Sequence, residues 1–524
     1  MRAALFSLVL LCVACGGSST RGQSVCDNVV PAPAACMTKC DPSPNAPATC
    51  AGGYHCTPDG TCDAFCTQSG GQCGGGYRCT PDGRCVGETE CVGRECDIVA
   101  CSKQGKPSTT ISGTVYAPNG TLPLFGINVY VSNTSLGPPP DGAVCDRCSD
   151  SLPGYPLSLT KTDENGKFTM VDVPAGKDVP VIIQTGKWRR TIMLPVVNEC
   201  ADTAIPATET RLPKNSTEGY MPKIAISTGS ADALECLVRK LGIDDSEMTT
   251  DGGPGKLHLY ADNGAGGGEG ANQFATGFPG GAGKFANSKT LWDSLDKLKT
   301  YDIVILSCEG NQHAETKSQM AMDALKGYAD FGGRVFLSHW HNIWVEGSTQ
   351  NRAMYPQKPA VWSAAGLTTW NDSGTSFASP PDPPDLIDEM NNPKGMSFAT
   401  WMVNVMGSPM RDQIPIGVVP GTNNGTGKQT CTNVDTTRVE RWVYWKQNNV
   451  EYPQMFQFTT PIEGASGDRC GKVVFSDMHV AGDSKSSATM PFPSQCQNTA
   501  LTPQEKALAF MFFDIASCVQ PPIL

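Results

Sequence analysis

From Thr110 onward, apolar residues recur at every second position. Ile111, Gly113 and Val115 form the first such set, then Ile127, Val129 and Val131, then Phe168 and Met170, then Val181 and Ile183. Period two is the spacing of a half-buried strand, whose successive side chains point to opposite faces. Turn signals at Pro118-Asn119-Gly120, Asp163-Glu164-Asn165-Gly166 and Pro174-Ala175-Gly176 separate the runs. Residues 107–200 therefore read as an antiparallel β-sandwich. Beyond Met221 the pattern changes to continuous apolar runs alternating with helical spacing. Residues 223–229, 257–260, 301–308, 334–339, 455–458 and 472–476 read as strands, and 231–241, 291–298, 320–331 and 503–518 as helices. Thr502 and Glu505 make a capping box at the start of the last helix. Strands alternating with helices predict a parallel sheet covered on both faces over 218–524. Within it, 342–450 is rich in Pro, Asn, Trp and Gly and reads as a long insertion.

The first hundred residues follow neither period. Behind Met1-Arg2 lies an eleven-residue apolar run, 3–13, which suits a signal-peptide core and is too short to span a bilayer as a helix. The run ends in Leu11-Cys12-Val13-Ala14-Cys15-Gly16-Gly17, which resembles a bacterial lipobox, with Cys12 where that pattern usually has Leu. The resemblance implies a signal peptide over 1–15, acylation of Cys15 and a linker over 16–25. Gly16 in place of Asp resembles outer-membrane sorting, so the implied location is the outer membrane or cell surface of a Gram-negative bacterium. The membrane would then be a partner through the lipid alone.

Residues 26–101 hold a repeat. Gly52-Gly53-Tyr54-His55-Cys56-Thr57-Pro58-Asp59-Gly60-Thr61-Cys62 returns as Gly75-Gly76-Tyr77-Arg78-Cys79-Thr80-Pro81-Asp82-Gly83-Arg84-Cys85. So few apolar side chains cannot make a core, and disulfides replace it. Cys40, Cys50, Cys56 and Cys62, then Cys66, Cys73, Cys79 and Cys85, are the expected bridge-formers, with their pairing open. Zinc knuckles compete for the same residues but lack paired C-x2-C units and histidine ligands. The repeat resembles small cysteine-rich, EGF-like modules of bacterial surface lipoproteins, which implies a spacer or contact surface.

Composition narrows the function classes. A length of 524 residues predicts three or four domains. A net charge of −11 with no basic block argues against a nucleic-acid partner. Of 24 cysteines, 13 lie between Cys26 and Cys101, which argues for an oxidising compartment. With Cys12 and Cys15 set aside, the rest are even in number and permit complete pairing.

Two further resemblances concern the folded regions. Ser112-Gly113-Thr114-Val115-Tyr116, Leu124 to Val131, Thr162 to Phe168 and Val173-Pro174-Ala175-Gly176 are similar to a carboxypeptidase regulatory-like (transthyretin-like) domain. This implies an accessory role, because no histidine carries the Glu three residues later that the zinc peptidase needs. Cys145-x-x-Cys148 interrupts that region and reads as a structural loop disulfide rather than a redox pair. The stretch from Leu325 through Gly332-Gly333 to Ser338-His339 resembles class I glutamine-amidotransferase-like domains and their trehalose-utilisation (ThuA-like) branch, which implies a flavodoxin-like sheet. Ser338-His339-Trp340 stands where amidotransferases have Gly-x-Cys-x-Gly, so their nucleophile is missing.

Candidate chemistry gathers at predicted strand ends, where open parallel sheets bind ligands. Glu309, His313, His339, His341 and His479 are the candidate ligand-binding residues. His339, His341 and His479 would be the metal set, taking one divalent ion as cofactor, if their strands are neighbours. Packing of these histidines on Trp340 and Trp344 is the competing reading. Cys308 is the cysteine most like a nucleophile, although a buried, inert thiol fits it better. Trp344, Trp362, Trp370 and Trp401 suit either sugar stacking or core packing. No intact catalytic motif is present: Gly280 to Lys284 lacks the first P-loop glycine, and no Gly-x-Ser-x-Gly exists. The expectation is an exported surface or periplasmic protein with a binding or structural role and no assigned catalytic residue, whose partners are carbohydrate or protein at the cell surface. The alternative is a metal-dependent or carbohydrate-active hydrolase built on the strand-end histidines.

Overall fold

The computed structural model describes residues 83–520 apart from 151, 263–269, 350–352, 359–361, 363–365, 372–383, 418–427, 429, 480–488 and 497–499. Ahead of these it describes 25–28, 36, 38–43, 50, 54–57, 59–64, 66, 73 and 76–80. The signal-like segment and Cys15 lie outside the described residues. The chain divides into two compact units: 1–92 with 134–137 and 151–155, and 93–133 with 138–150 and 156–524.

In the first unit each cysteine repeat is closed the same way. Cys40–Cys56 and Cys50–Cys62 bridge one copy, and Cys66–Cys79 and Cys73–Cys85 the next. The first cysteine of a copy thus joins the third, and the second joins the fourth. The Thr-Pro-Asp-Gly turns behave as their chemistry requires: Gly60 N donates to Thr57 O and Gly83 N to Thr80 O, both at 2.9 Å. Both glycines sit at positive φ, which costs a residue without Cβ little. All eight sulfurs are consumed in disulfides, which leaves them no thiolate for zinc.

The second unit begins with two small sheets. Strands β1 (Thr110–Thr114), β2 (Asn128–Ser132), β3 (Pro156–Lys161), β4 (Lys167–Val171), β5 (Gly176–Thr185), β6 (Trp188–Val197) and β7 (Asp202–Ala204) pair in the orders β6-β5-β2-β3 and β7-β1-β4. The alternating apolar residues all turn inward: Ile111, Val129, Val131, Phe168, Met170, Val181 and Ile183 are at most 4% exposed. Cys101–Cys200 ties the two ends of this region together.

The main sheet combines β8 (Ile224–Thr228), β9 (Met248–Thr250), β10 (Leu257–Ala261), β11 (Ile303–Leu306), β12 (Arg334–Ser338), β13 (Asp385–Ile387), β14 (Gln413–Ile414), β15 (Glu440–Gln447), β16 (Val450–Thr460) and β17 (Gly471–Ser476). Their order is β9-β10-β8-β11-β12-β17-β16-β15-β13-β14. From β9 to β17 neighbours are parallel; from β17 to β14 they are antiparallel. The wholly parallel sheet expected from the alternation is therefore corrected to a mixed one. β15 and β16 are joined by Asn448-Asn449, both at positive φ, so the chain returns antiparallel without a crossover helix. Residues 342–450 contribute β13, β14 and β15 to this sheet rather than forming a separate body.

Helices α1 (Leu234–Lys240), α2 (Gln319–Phe331), α3 (Gly395–Asn404) and α4 (Pro503–Ala516) pack on the sheet. The capping box of Thr502 and Glu505 forms at the start of α4. The expected helix over 291–298 is broken in two, because Ser294 turns out of the helix and accepts from Lys297 N at 3.2 Å, starting a new cap. The small sheets and the main sheet share one apolar core, in which Trp188 of β6 meets Phe512 and Phe513 of α4 at about 6 Å. Cys145 and Cys148 do not bridge each other. They pair with Cys470 and Cys518, clamping the 138–150 loop to the main sheet and to the end of α4.

Candidate functional site

Four neighbouring strands of the main sheet run out at one edge. Asp232 follows β8, Cys308 follows β11, His339 follows β12, and Asp477 and His479 follow β17. Continuous apolar runs bury each strand on both faces, so the first polar residues after them are delivered into a shielded edge.

The centre is a thiol between two imidazoles. Cys308 Sγ lies 3.5 Å from His339 Nδ1, and the His339 and His479 rings meet edge to face at 4.8 Å. One donor atom each from Cys308, His339 and His479 falls within 4.8 Å of the others. His339 reaches this position through a left-handed backbone, φ +39°, at the strand-to-turn corner. Behind the imidazoles stand two carboxylates. Asp232 Oδ1 is 3.0 Å from His479 Nδ1, while its Oδ2 accepts from Ser338 Oγ. Asp477 Oδ1 is 3.7 Å from His339 Nε2, a buried nitrogen with no hydrogen-bond partner among the described residues. Gly310 N donates to Cys308 Sγ at 3.4 Å.

Electrostatics follow from burial. Cys308, His339 and Asp477 are at most 2% exposed. Burial, with the Asp232 charge adding to it, pushes the Cys308 thiol far above its ordinary range. Burial also drives His339 well below, helped by His479 and Lys428, so its imidazole is neutral. Lys428 is pushed down and Asp477 up by burial, each against the pull of the other.

The other expected site residues have different partners. His341 donates from Nε2 to Ser307 O and accepts at Nδ1 from Trp344 Nε1, both at 2.9 Å, leaving neither nitrogen for a ligand. This removes it from the expected metal set. Glu309 is fully buried against Lys317 Nζ at 2.6 Å, and burial lifts its carboxyl to about 7 despite that ammonium. His313 pairs with Glu315 at 3.1 Å. Trp344, Trp362 and Trp401 are core residues at most 1% exposed, and Trp370 packs on Phe456 and Phe475, so core packing accounts for them rather than sugar stacking. Cys308 and Cys431 are unpaired and buried, so the complete pairing that the even count permitted does not occur.

Sequence reasoning did not single out Asp232, Ser338, Lys428 or Asp477. A signal was present for the two aspartates, each a carboxylate within four residues after a buried strand. Lys428, in a Gly- and Asn-rich stretch, carried none.

No family profile matches the chain, and no curated protein matches it. Two solved structures are similar over part of it, both type II cohesin–X-dockerin complexes from Acetivibrio cellulolyticus that carry interface mutations. The C-terminal interface mutant is 19% identical over 24% of this chain and 78% of that one, with a TM-score of 0.15. The N-terminal interface mutant is 19% identical over 26% and 85%, with the same TM-score. At that score neither bears on fold or partner.

Proposed function

We propose that this chain is an exported, lipid-anchored protein of the outer membrane or cell surface that binds a ligand at the carboxyl edge of its main sheet and has no amidotransferase activity. In this reading 107–200 is an accessory β-sandwich of carboxypeptidase regulatory-like type. Residues 218–524 form a flavodoxin-like, amidotransferase-like domain whose nucleophile position is taken by His339. Twenty disulfide-bonded cysteines support an oxidising compartment, and no helix among the described residues is long and apolar enough to cross a membrane. The five strands β10-β8-β11-β12-β17 follow the order 2-1-3-4-5 of flavodoxin-like sheets. A metal ion is the ligand class that suits the Cys and His donors of the edge.

One observation carries the binding reading. The corner residue after β12 is an imidazole turned onto a buried thiol and a second imidazole, not an exposed nucleophile. A nucleophilic cysteine needs a lowered pKa and access, and Cys308 has neither. The test is native alkylation of the full chain with iodoacetamide, alongside a glutamine-hydrolysis assay. Cys308 should stay unmodified until the protein is denatured, and no turnover should be seen. Rapid modification together with turnover lost in Cys308→Ser would overturn the reading. Cys15→Ala should move the protein from the membrane to the soluble fraction.

A further inference from the structure

Resting on that reading of the strand edge, we propose that Cys308, His339 and His479 are the protein ligands of one thiophilic d10 metal ion, Zn2+ or Cu+, with His341 and Glu309 outside the coordination sphere. The donor set argues for the class of ion. A thiolate with two imidazoles selects zinc or copper over magnesium, calcium or manganese, which prefer oxygen.

One edge of the cluster already has the length such an ion sets. A tetrahedral centre about 2.3 Å from sulfur and about 2.1 Å from nitrogen sets the S···N edge at about 3.6 Å. Cys308 Sγ and His339 Nδ1 are 3.5 Å apart, and the three donors lie within 4.8 Å of one another, so binding an ion draws them together by about 1 Å at the widest edge.

The surroundings repeat a feature of metal sites. A ligating histidine generally turns its second nitrogen to a carboxylate, which sets the tautomer and orients the ring. Asp232 plays this part for His479, 3.0 Å from its Nδ1, and Asp477 is the carboxylate nearest His339 Nε2, at 3.7 Å. Asp232 is itself held by Ser338 Oγ. His479 would therefore ligate through Nε2 and His339 through Nδ1. Among the described residues His339 Nε2 has no hydrogen-bond partner, and ligation at Nδ1 leaves its proton directed at Asp477. On binding, the Cys308 S–H bond breaks, a sulfur–metal bond forms, and the proton leaves to solvent. Three protein donors leave a fourth tetrahedral position open. His479, the most exposed of the three at 13% of its side chain, marks the side from which an ion enters.

The experiment uses the full chain purified without a metal-binding tag. Metal content is measured by plasma mass spectrometry after dialysis, followed by titration with Zn2+, with Cu+ under anaerobic conditions, and with Co2+ as a spectroscopic probe. One equivalent should bind, and Co2+ should give a tetrahedral spectrum with a sulfur-to-cobalt charge-transfer band. Cys308→Ser should abolish that band. His479→Gln, at the rim, should weaken binding at least 100-fold while leaving the fold intact by circular dichroism, and Asp232→Asn should weaken it 10–100-fold. His341→Gln should keep the stoichiometry of one. Whichever of Zn2+ and Cu+ the protein retains against a competing chelator identifies the ion. A folded wild-type protein that binds none of the three ions would overturn the proposal, as would binding untouched by both Cys308→Ser and His479→Gln. In either case an unreactive Cys308 would leave the ligand-edge reading standing, whereas rapid native alkylation with turnover would sink that reading itself.

Discussion

Two residues apart in sequence, His339 and His341 have different fates, and the cause is local geometry. Both lie in the single 3-10 turn after β12, His339–Asn342. With three residues per turn, positions i and i+2 point to different sides. His339 therefore faces Cys308 while His341 is taken by Ser307 and Trp344. Cys308 and Glu309 divide in the same way, since successive side chains leaving a strand point to opposite faces. Glu309 instead belongs to a buried ion pair with Lys317. Removing one partner of such a pair strands the other charge in a dry interior. Lys317→Met should cost about 3–5 kcal/mol in urea unfolding. The double variant with Glu309→Gln should recover much of that loss, and strictly additive costs would refute the pairing. The histidines were legible as strand-end residues, but their directions were not.

At the level of elements, the strongest local signals were readable. The capping box at Thr502, the Gly332-Gly333 stop after α2 and the buried strands β8, β11, β12 and β17 stand where the pattern placed them. Gly333 is required there, because a Cβ would enter the Tyr328 ring. In the antiparallel half only 455–458, within β16, was legible as a strand, since β13 and β14 are two or three residues long and β15 is broken by register shifts near Val443. The connector ahead of β8 is held by a fork. Arg211 Nη1 and Nη2 each donate to Glu218 at 2.6 Å, and with Lys214 N they hold its carboxyl at about 2 against partial burial. An unfolded glutamate titrates near 4.3. The fork's stabilisation is thus fully present above about pH 4.3 and is lost as pH falls through about 2. For a pair a quarter exposed on the glutamate side, solvent screening reduces it to roughly 1–2 kcal/mol. Glu218→Gln should flatten the stability profile between pH 5 and 2 by that amount, and an unchanged acid limb would refute the assignment.

For the whole molecule, covalent closure matters more than any one contact. Cys145–Cys470, Cys148–Cys518 and Cys236–Cys496 span 325, 370 and 260 residues. Closing loops this long restricts the unfolded chain strongly, and loss of a native disulfide costs about 2–5 kcal/mol. Cys148→Ser with Cys518→Ser should lower stability within that range, while peptide mapping without reductant should still recover Cys145 joined to Cys470. A Cys145–Cys148 peptide from the native protein would contradict this connectivity. The sequence by itself determined the compartment chemistry, the cysteine repeat, the inward faces of the small sheets and the buried strands, because these depend on local period and composition. Which strands are neighbours, which way each strand-end side chain turns and which distant cysteines pair emerged with the folded chain. Those outcomes depend on strand order and on contacts between residues hundreds of positions apart. The meeting of Asp232, Cys308, His339 and His479, spread over 247 residues, is therefore a property of the folded sheet.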